Sequence, residues 1–399
     1  MKKKHLNSLC VSSEFDPFRQ KSHTLPIYPT SAFEFESVEE SIEIFTGQKS
    51  GYVYSRYKNP TVEHVAENIC ALECYDLVEN GFGLMTSSGM SAIYTLITSI
   101  IKQGEEILTQ EDLYGGTTEL LQKVVTRSGI KMHFADLSDH ERLRELLNFH
   151  KNIKLIYLET PANPTMKCLD IAEISAIATT FDVLVCVDNT FCTPMIQRPL
   201  SRGADFVIHS TTKYLNGHGN SIAGVIVAKD KKWQSVIWNS LKLTGSICSP
   251  WEAWLVYNGL KTLSLRMERH SSNALKVAEW LTNHPKVIQV NYNGLKSDAY
   301  HDIASKQMSL YGGMLSFRID SDLQGTLQCI NNFRLCTLAP TLGDVDTLVL
   351  HPITSSHLNV DRKVCEKLGI TDNLIRLSVG IEFVEDIIHD LSQSLDKLK

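Results

Sequence analysis

The segment HSTTKYLNGHG (residues 209–219) places one lysine, Lys213, behind hydroxyl side chains and ahead of a glycine-containing turn. The apolar run ADFVI (residues 204–208) just before it predicts a buried strand that ends close to this lysine. In open α/β sheets, ligands bind at the carboxyl ends of the strands. Desolvation lowers the pKa of a lysine from its ordinary value of about 10.4, so that its amine becomes reactive. Lys213 is therefore a candidate for covalent chemistry with an aldehyde.

A carboxylate stands at the end of another predicted strand. The run VLVCVDN passes through apolar residues into Asp188, and a buried aspartate is costly to desolvate unless a cation or donor meets it. Asp188 could equally cap the loop that follows, but a lysine at a second strand end favours the functional interpretation. A third predicted strand, in KLIYLETPANP, ends with Glu159 and Asn163.

The segment TSSGMSAIYTLITSI places Ser88 and Gly89 immediately before a strongly apolar helical stretch. Free backbone N–H groups at a helix N-terminus favour an anion, and small residues let a phosphate approach. Serines also cap helices where no ligand binds. Ser210 and Thr212, close to Lys213, add further hydroxyl donors for the same phosphate.

A phosphate site, a carboxylate and a lysine are together what pyridoxal 5′-phosphate (PLP) requires. The lysine forms an imine with the aldehyde, and the carboxylate keeps the pyridine nitrogen protonated so that the ring accepts electrons from a carbanion. The sequence has no G-x-G-x-x-G turn for a dinucleotide, no P-loop and no G-x-S-x-G elbow of a serine hydrolase. A binding or assembly role without catalysis leaves Lys213 and Asp188 unexplained.

The surrounding elements predict an α/β protein. A chain of 399 residues is too long for one ordinary core. Between residues 79 and 228, short apolar runs alternate with amphipathic stretches, which predicts a largely parallel sheet covered on both faces. The predicted strands are GEEILTQ, IKMHFADL, IKLIYLET, VLVCVDN, DFVIHS and IAGVIVA.

The two ends of the chain differ from this pattern. One long helical pattern covers residues 251–284 and stops at Pro285. The short runs VIQVNY, GGMLSFRI, FRLCTL and NLIRLSVG follow it and predict a smaller α/β domain. The first 50 residues, with Pro17, Pro26 and Pro29, have little periodicity and predict an extended arm that reaches another subunit.

The net charge and the distribution of cysteines indicate which kinds of binding partner and which cellular compartment to expect for this protein. A formal net charge of −6 gives no broad basic field, which argues against nucleic acid. The ten cysteines are spread singly through apolar segments, which predicts reduced thiols in the cytoplasm. Cys70 and Cys74 lie four residues apart with no second pair of metal ligands nearby in the sequence, so we expect them to pack in the core rather than bind a metal. The start MKKKHLNSLC does not continue into an apolar signal, and no apolar run approaches the about 20 residues of a membrane span. We expect no metal and no membrane partner.

Several motifs, in order along nearly the whole chain, resemble the Cys/Met-metabolism (transsulfuration) family of PLP-dependent enzymes. The resemblance is nearest to methionine γ-lyases, O-acetylhomoserine sulfhydrylases and cystathionine γ-synthases. The motifs are YSRYKNPT, SSGMSAI, DLYGGT, ETPANPT, VDNTFCTPMIQRPLSRGADFVIHSTTKYLNGHG, GLKTLSLRMERH and LGDVDTL.

This resemblance implies the aspartate-aminotransferase-like fold type I of PLP-dependent transferases. That fold has a mostly parallel, seven-stranded-type sheet in its large domain and a smaller C-terminal α/β domain. The expected division is an N-terminal arm that contacts the neighbouring subunit (1–58), a PLP-binding domain (59–250) and a C-terminal domain (251–399).

The resemblance also implies roles for individual residues. Lys213 is the imine lysine, Asp188 the partner of the ring nitrogen, and Tyr114 the residue that stacks on the ring and protonates the leaving group. Asn163 lies near the ring oxygen and, with Thr341 and Arg376, binds the substrate, whose α-carboxylate meets Arg376. The residues expected to hold the phosphate are Ser88, Gly89, Met90, Ser210 and Thr212, with Tyr54 and Arg56 from the neighbouring chain. These roles imply active sites shared between two chains of a homotetramer, a dimer of dimers.

Departures from the family pattern bear on the reaction. Pro340 stands where cystathionine γ-lyases generally carry a glutamate, which disfavours cystathionine γ-cleavage, and Thr341 replaces the usual serine before LGD. Gly116 replaces a cysteine common in methionine γ-lyases, and Asn258 replaces a frequent arginine. The favoured reaction is γ-elimination on a methionine-like amino acid, a carbon–sulfur lyase reaction that gives 2-oxobutyrate, ammonia and a thiol. The alternative is γ-replacement on an O-acyl-homoserine by a sulfur nucleophile, as in a sulfhydrylase or a cystathionine γ-synthase.

Overall fold

The computed structural model describes residues 4–11, 22–79, 81–358 and 360–398. Residues 1–3 and 12–21 of the predicted arm, Pro17 among them, lie outside the described residues. The described part of the chain forms a seven-stranded sheet and a five-stranded sheet, with helices packed on both.

The seven-stranded sheet has the strand order β1-β7-β6-β5-β4-β2-β3. Its strands are β1 (Phe82–Thr86), β2 (Glu106–Gln110), β3 (Lys131–Ala135), β4 (Ile153–Glu159), β5 (Leu184–Asp188), β6 (Phe206–Ser210) and β7 (Gly224–Ala228). Strands β2 to β6 run parallel, and β7 runs antiparallel to both of its neighbours. Helices cover both faces, so that all strands except the edge strand β3 are mainly buried. The predicted mostly parallel sheet is confirmed, although the strand β1 was missing from the prediction.

The five-stranded sheet has the strand order β10-β11-β12-β9-β8. Its strands are β8 (Val287–Asn291), β9 (Met314–Ile319), β10 (Thr337–Leu338), β11 (Leu348–Leu350) and β12 (Leu374–Ser378). The predicted smaller α/β unit is therefore present, but only the last two residues of the predicted strand FRLCTL are in β10, and β11 was not predicted. The domain boundary at residue 250 stays a prediction.

The helices alternate with the strands of the large sheet and pack on the small one. They are α1 (Leu6–Val11), α2 (Val38–Phe45), α3 (Pro60–Glu73), α4 (Gly89–Ile100), α5 (Gly115–Lys123), α6 (His140–Phe149), α7 (Ile171–Thr180), α8 (Thr193–Ile196), α9 (Gln234–Thr244), α10 (Pro250–Leu260), α11 (Leu263–Thr282), α12 (His301–Gln307), α13 (Leu323–Asn331), α14 (Arg362–Lys367) and α15 (Val384–Leu395). Within the described ranges, no helix is both long and apolar enough to cross a membrane.

The single helical pattern predicted over residues 251–284 is wrong in one respect, because the structure divides it into α10 and α11. The buried Arg266 guanidinium donates to the Gly259 carbonyl oxygen and to the Tyr214 carbonyl oxygen, both at 2.7 Å. A side chain from the next helix thus adds a hydrogen bond to a carbonyl group at the end of α10, which the Thr262 N–H also reaches at 3.2 Å. The same guanidinium holds the loop that follows Lys213.

The cysteines are packed as the sequence predicted. All ten are buried free thiols. Cys70 and Cys74 lie on and just after α3, with their Sγ atoms 3.8 Å apart. Both side chains belong to the apolar core beneath the large sheet, so that core packing is confirmed for this pair.

Candidate active site

A cavity of about 250 Å³ lies at the carboxyl ends of β4, β5 and β6. Residues from β12 and from the segment around residue 340 close its other side, so that the two sheets both contribute to it. All predicted site residues line this cavity except Tyr54, Arg56 and Thr341. The predicted residues in its wall are Ser88, Gly89, Met90, Tyr114, Asn163, Asp188, Ser210, Thr212, Lys213 and Arg376.

Lys213 lies in the loop after β6, and its Nζ donates to the Thr341 hydroxyl at 3.0 Å. Burial, followed by the nearby Arg376 cation, lowers the pKa of Lys213 to about 8, although the Asp344 carboxylate opposes the shift. Because a neutral amine is the form that attacks an aldehyde or takes a proton, this shift makes Lys213 usable near neutral pH.

Asp188, the last residue of β5, is held by donors on both of its oxygens. The Thr190 N–H donates to Oδ1 at 3.0 Å, the Thr190 hydroxyl donates to the same oxygen, and the Tyr157 hydroxyl donates to Oδ2 at 3.2 Å. The Ser210 N–H in turn donates to the Thr190 hydroxyl at 2.9 Å and ties this loop to β6. Burial raises the pKa of Asp188, and the Thr190 hydrogen bonds oppose the shift. A cationic N–H donor in the cavity would offset this desolvation.

Glu159, at the end of β4, positions two of the predicted site residues. Its carboxylate accepts the Tyr114 N–H at 2.9 Å and the Asn163 N–H at 3.2 Å. The Gln110 side chain exchanges two hydrogen bonds with the Glu159 backbone and fixes the strand end. Burial, followed by repulsion from Asp188, raises the pKa of Glu159 well above its usual range. The sequence identified Glu159 only as a strand-end acid, and it did not identify Gln110.

The first turn of α4 forms the predicted phosphate end of the cavity. Ser88 is the N-cap, and its hydroxyl accepts the Ser91 N–H at 3.0 Å. A Cβ on Gly89 would lie 2.7 Å from the Ser210 Cβ, so only glycine lets this helix approach the end of β6 so closely. Apart from the Ser91 N–H, which Ser88 caps, the first backbone N–H groups of this turn have no helical partner, an arrangement that favours an anion. The Thr212 hydroxyl is bonded instead to the Ala223 backbone, donating to its carbonyl oxygen at 3.3 Å.

Tyr54 and Arg56 do not reach the cavity of their own chain. The Tyr54 side chain is 41% exposed, and the Arg56 guanidinium stacks on the Tyr54 and Tyr57 rings at 5.6 and 5.1 Å. Arg56 also donates to the Lys242 carbonyl oxygen at 2.6 Å and lines a second cavity of about 430 Å³. That both act in the neighbouring chain stays a prediction.

Arg376 is the middle residue of β12, and its side chain points into the cavity. Its Nη2 donates to the Thr341 carbonyl oxygen at 2.8 Å, and its buried Nε has no hydrogen-bond partner among the described residues. Burial lowers the pKa of Arg376 to about 10. An incompletely paired buried guanidinium is costly, and a carboxylate is the ligand that completes it.

Replacing Arg376 by lysine is expected to raise KM for an amino-acid substrate by roughly 10- to 100-fold, because a point charge replaces a guanidinium that can grip a carboxylate with two N–H groups. Steady-state kinetics with the purified enzyme measure this effect. The matched control is Arg318→Lys on the neighbouring strand β9, where the guanidinium bonds to Asn373 and Gln289. An unchanged KM in Arg376→Lys would contradict carboxylate binding.

The groups around the cavity fit PLP. The amine of Lys213 and the carboxylate of Asp188 suit its aldehyde and its ring nitrogen, and the first turn of α4 suits its phosphate. The Asn163 Oδ1 is buried with no partner in the part of the chain that the structure describes, and Nε of Arg376 is likewise unpaired. A site with unsatisfied polar groups on several walls is built around a polar ligand.

Glu73 and His209 form a buried hydrogen-bonded pair behind the site that sequence reasoning missed. Both side chains are fully buried, and His209 Nε2 lies 2.6 Å from Glu73 Oε1, which also accepts from the Asn189 amide at 2.8 Å. His209 lowers the pKa of Asp188 and so opposes the larger effect of burial. The signal available was an acidic residue within the apolar pattern of α3.

Comparison with known proteins places these features in context. The family model for Cys/Met metabolism PLP-dependent enzymes matches residues 7–396. The L-methionine gamma-lyase of Fusobacterium nucleatum subsp. polymorphum is 43% identical over 94% of this chain and 93% of its own length. A cystathionine beta-lyase of Lactococcus lactis subsp. cremoris (strain MG1363) is 42% identical, over 94% of each chain. The crystal structure of a cystathionine gamma synthase from Xanthomonas oryzae pv. oryzae, in complex with aminoacrylate and cysteine, is 32% identical and superposes with a TM-score of 0.91 over 98% of both chains.

Proposed function

The chain belongs to the Cys/Met metabolism family of PLP-dependent enzymes, and we propose that it is a carbon–sulfur lyase that acts on a methionine-like amino acid by γ-elimination. Its products are 2-oxobutyrate, ammonia and a thiol. The observation that carries the proposal is the convergence of Lys213, Tyr114 and Arg376 on one cavity beside Asp188. The 43% identity to an L-methionine gamma-lyase supports the choice of reaction.

PLP, when bound, supplies an electron sink for the negative charge that develops on the substrate carbons. In this proposal, Asp188 pairs with its ring nitrogen, and Ser88, Gly89, Met90 and Ser210 hold its phosphate. The hydroxyl of Thr212 has a backbone partner, so Thr212 contributes through its position in the loop.

The protein side chains carry the proton transfers. Lys213, with its pKa lowered to about 8, takes the proton from the α-carbon and then transfers a proton at the β-carbon. Tyr114, at the start of α5, protonates the departing sulfur, and its backbone is held in place by Glu159. Arg376 binds the α-carboxylate, so that the α-carbon faces Lys213. Thr341 contacts both the Lys213 amine and the Arg376 guanidinium and keeps them in register.

The apolar part of the cavity supports a thioether side chain. Its wall contains Ile93, Phe191, Ile222, Pro340 and Leu342. Pro340 offers no charge to the distal ammonium group of cystathionine. A Cβ on Gly116 would lie 2.6 Å from Cε1 of Tyr114. Glycine at this position therefore allows the tyrosine ring to keep its observed orientation, which in this proposal is beside the leaving group.

The second candidate is γ-replacement on an O-acyl-homoserine by a sulfur nucleophile. The superposition on a cystathionine gamma synthase supports it. Both reactions use the same residues up to departure of the γ-substituent and differ in whether water or a thiol completes the turnover.

The deciding experiment measures keto acid from L-methionine, cystathionine and O-acetylhomoserine, each with and without added sulfide or thiol. Release of 2-oxobutyrate from methionine without thiol is the expected result. Thiol-dependent consumption of O-acetylhomoserine without keto acid, and no reaction with methionine, would establish the second candidate instead. Pyruvate from cystathionine would show β-elimination and contradict both.

The assembly and the location are also part of the proposal. The homotetramer with shared sites is supported by the position of Tyr54 and Arg56, which lie outside the cavity of their own chain. The ten buried free thiols support a reducing, cytoplasmic location.

A shared site predicts complementation between two inactive variants. Arg56→Ala removes a phosphate contact from one side of the interface, and Lys213→Ala removes the amine from the other. Random mixing of the two is expected to restore about a quarter of the wild-type sites, because half of the dimers are mixed and each mixed dimer has one intact site. The measurement is turnover after joint refolding or coexpression. The control pair Asp188→Asn with Lys213→Ala places both defects in the same half-site and should recover nothing. Equal recovery by both pairs, or by neither, would contradict a shared site.

A further inference from the structure

Two histidines and a glutamate meet at the edge of the large sheet opposite to the cavity. Glu106 begins β2, His133 lies on β3, and His150 ends α6. Residue 106 pairs with residue 131 in the parallel register. Side chains alternate along a strand, so Glu106 and His133 lie on the same face of the sheet. The proposed reaction uses none of these residues.

The ligand atoms of this cluster, Glu106–His133–His150, lie close enough together to bind one metal ion after small side-chain adjustments. Oε2 of Glu106 is 2.8 Å from Nε2 of His133 and 3.4 Å from Nδ1 of His150. All three ligand atoms lie within 4.8 Å of one another. A zinc ion bound at about 2.0–2.1 Å holds neighbouring ligand atoms about 3.3 Å apart.

The cluster combines a buried carboxylate with imidazoles that remain open to solvent. The Glu106 side chain is 8% exposed, and the two histidines are 23% and 26% exposed. The centroids of the histidine rings are 4.0 Å apart, and the rings are tilted by 42°. Lys131 approaches the other carboxylate oxygen, Oε1, at 3.8 Å, and its side chain is 70% exposed. Lys131 therefore does not occupy Oε2, the oxygen that contacts the two histidines. The open side of the cluster can supply a water as the fourth ligand.

We propose that Glu106, His133 and His150 bind one zinc-like divalent transition-metal ion. Two imidazoles and one carboxylate favour Zn²⁺, Co²⁺, Ni²⁺ or Cu²⁺ over Mg²⁺ and Ca²⁺, which prefer oxygen ligands alone. The ligands come from β2, β3 and the end of α6, so the ion joins the α6–β4 connection to the sheet. An ion that binds only the folded arrangement stabilises it.

The test uses Co²⁺ as a probe on the full-length enzyme with PLP bound, after dialysis against a chelator. The expected result is binding of about one equivalent per chain, with the intense visible absorption of a tetrahedral Co²⁺ site and its displacement by Zn²⁺. The double variant His133→Gln/His150→Gln should lose this absorption and retain turnover of the substrate. The matched control is His389→Gln on α15, an exposed histidine outside the cluster, which should bind Co²⁺ as wild type does.

A second variant keeps the test decisive if the double variant is unstable. Lys131→Gln removes the competing cation from Glu106 and is expected to tighten Co²⁺ binding several-fold, which a site elsewhere would not do. Absence of stoichiometric binding to wild type would overturn the proposal. Binding that persists unchanged in the double variant would do so as well, because the ion would then lie at other residues.

Discussion

Lys213→Ala is expected to lower kcat/KM for the amino-acid substrate by about 10³- to 10⁴-fold or more, because the change removes both the amine that attaches the cofactor and the base at the α-carbon. Thr341, its hydrogen-bond partner, offers only a hydroxyl and cannot form an imine in its place. Borohydride reduction followed by peptide mass mapping measures the attachment directly, and should find the cofactor on the peptide that contains Lys213 in wild type only.

The matched control for this variant is Lys276→Ala, an exposed lysine on α11. It should keep both turnover and the reduced cofactor adduct. Substantial turnover by Lys213→Ala, or an adduct that maps to another lysine in wild type, would show that the assignment of this lysine is wrong.

Asp188→Asn is the second substitution with a large expected effect. The carboxylate is buried and already accepts hydrogen bonds from Thr190 and Tyr157, and an amide there cannot balance a protonated ring nitrogen. We expect the cofactor to stay attached to Lys213, while exchange of the substrate α-proton falls by about 10²- to 10³-fold, the usual effect of removing one preorganised electrostatic contact.

Proton exchange of L-methionine in D₂O, followed by NMR, isolates this step from later ones. The control is Asp205→Asn. Asp205 directly precedes the first residue of β6, at the end of the strand away from the cavity, where it accepts the Val185 N–H at 2.9 Å and pairs with Lys229. That variant should exchange at the wild-type rate. If Asp188→Asn exchanged the α-proton at the wild-type rate, the proposal that Asp188 supports the electron sink would be wrong.

The charges in the cavity depend on one another. Arg376 helps to lower the pKa of Lys213, and the two side chains contact the hydroxyl and the carbonyl oxygen of the same residue, Thr341. A substrate carboxylate that neutralises Arg376 weakens its effect on the amine, so substrate binding raises the proton affinity of Lys213 when a base is needed. In the proposed reaction, Thr341 therefore contacts both the group that recognises the carboxylate and the group that acts at the α-carbon.

The sequence alone determined the parts of this protein that depend on local pattern. Continuous apolar runs identified β2 to β7, because strands of a sheet covered on both faces must be apolar throughout. Asp188 was identified because a charge that ends such a run is costly unless it has a partner, and Lys213 because it lies in the loop just after a predicted strand end, where ligands bind. The Ser88–Gly89 pair was identified because small residues before an apolar helix allow an anion to approach.

Only the tertiary structure decided which distant residues meet. Glu159 supports Tyr114, Arg266 joins the end of α10 to the loop after Lys213, and Thr341 lies between the amine and Arg376. Glu106, His133 and His150 stand in three different elements, and none is unusual in its own segment. Periodicity reports which face of an element is buried, whereas these contacts depend on strand order, register and the packing of one sheet against the other, which no local pattern contains.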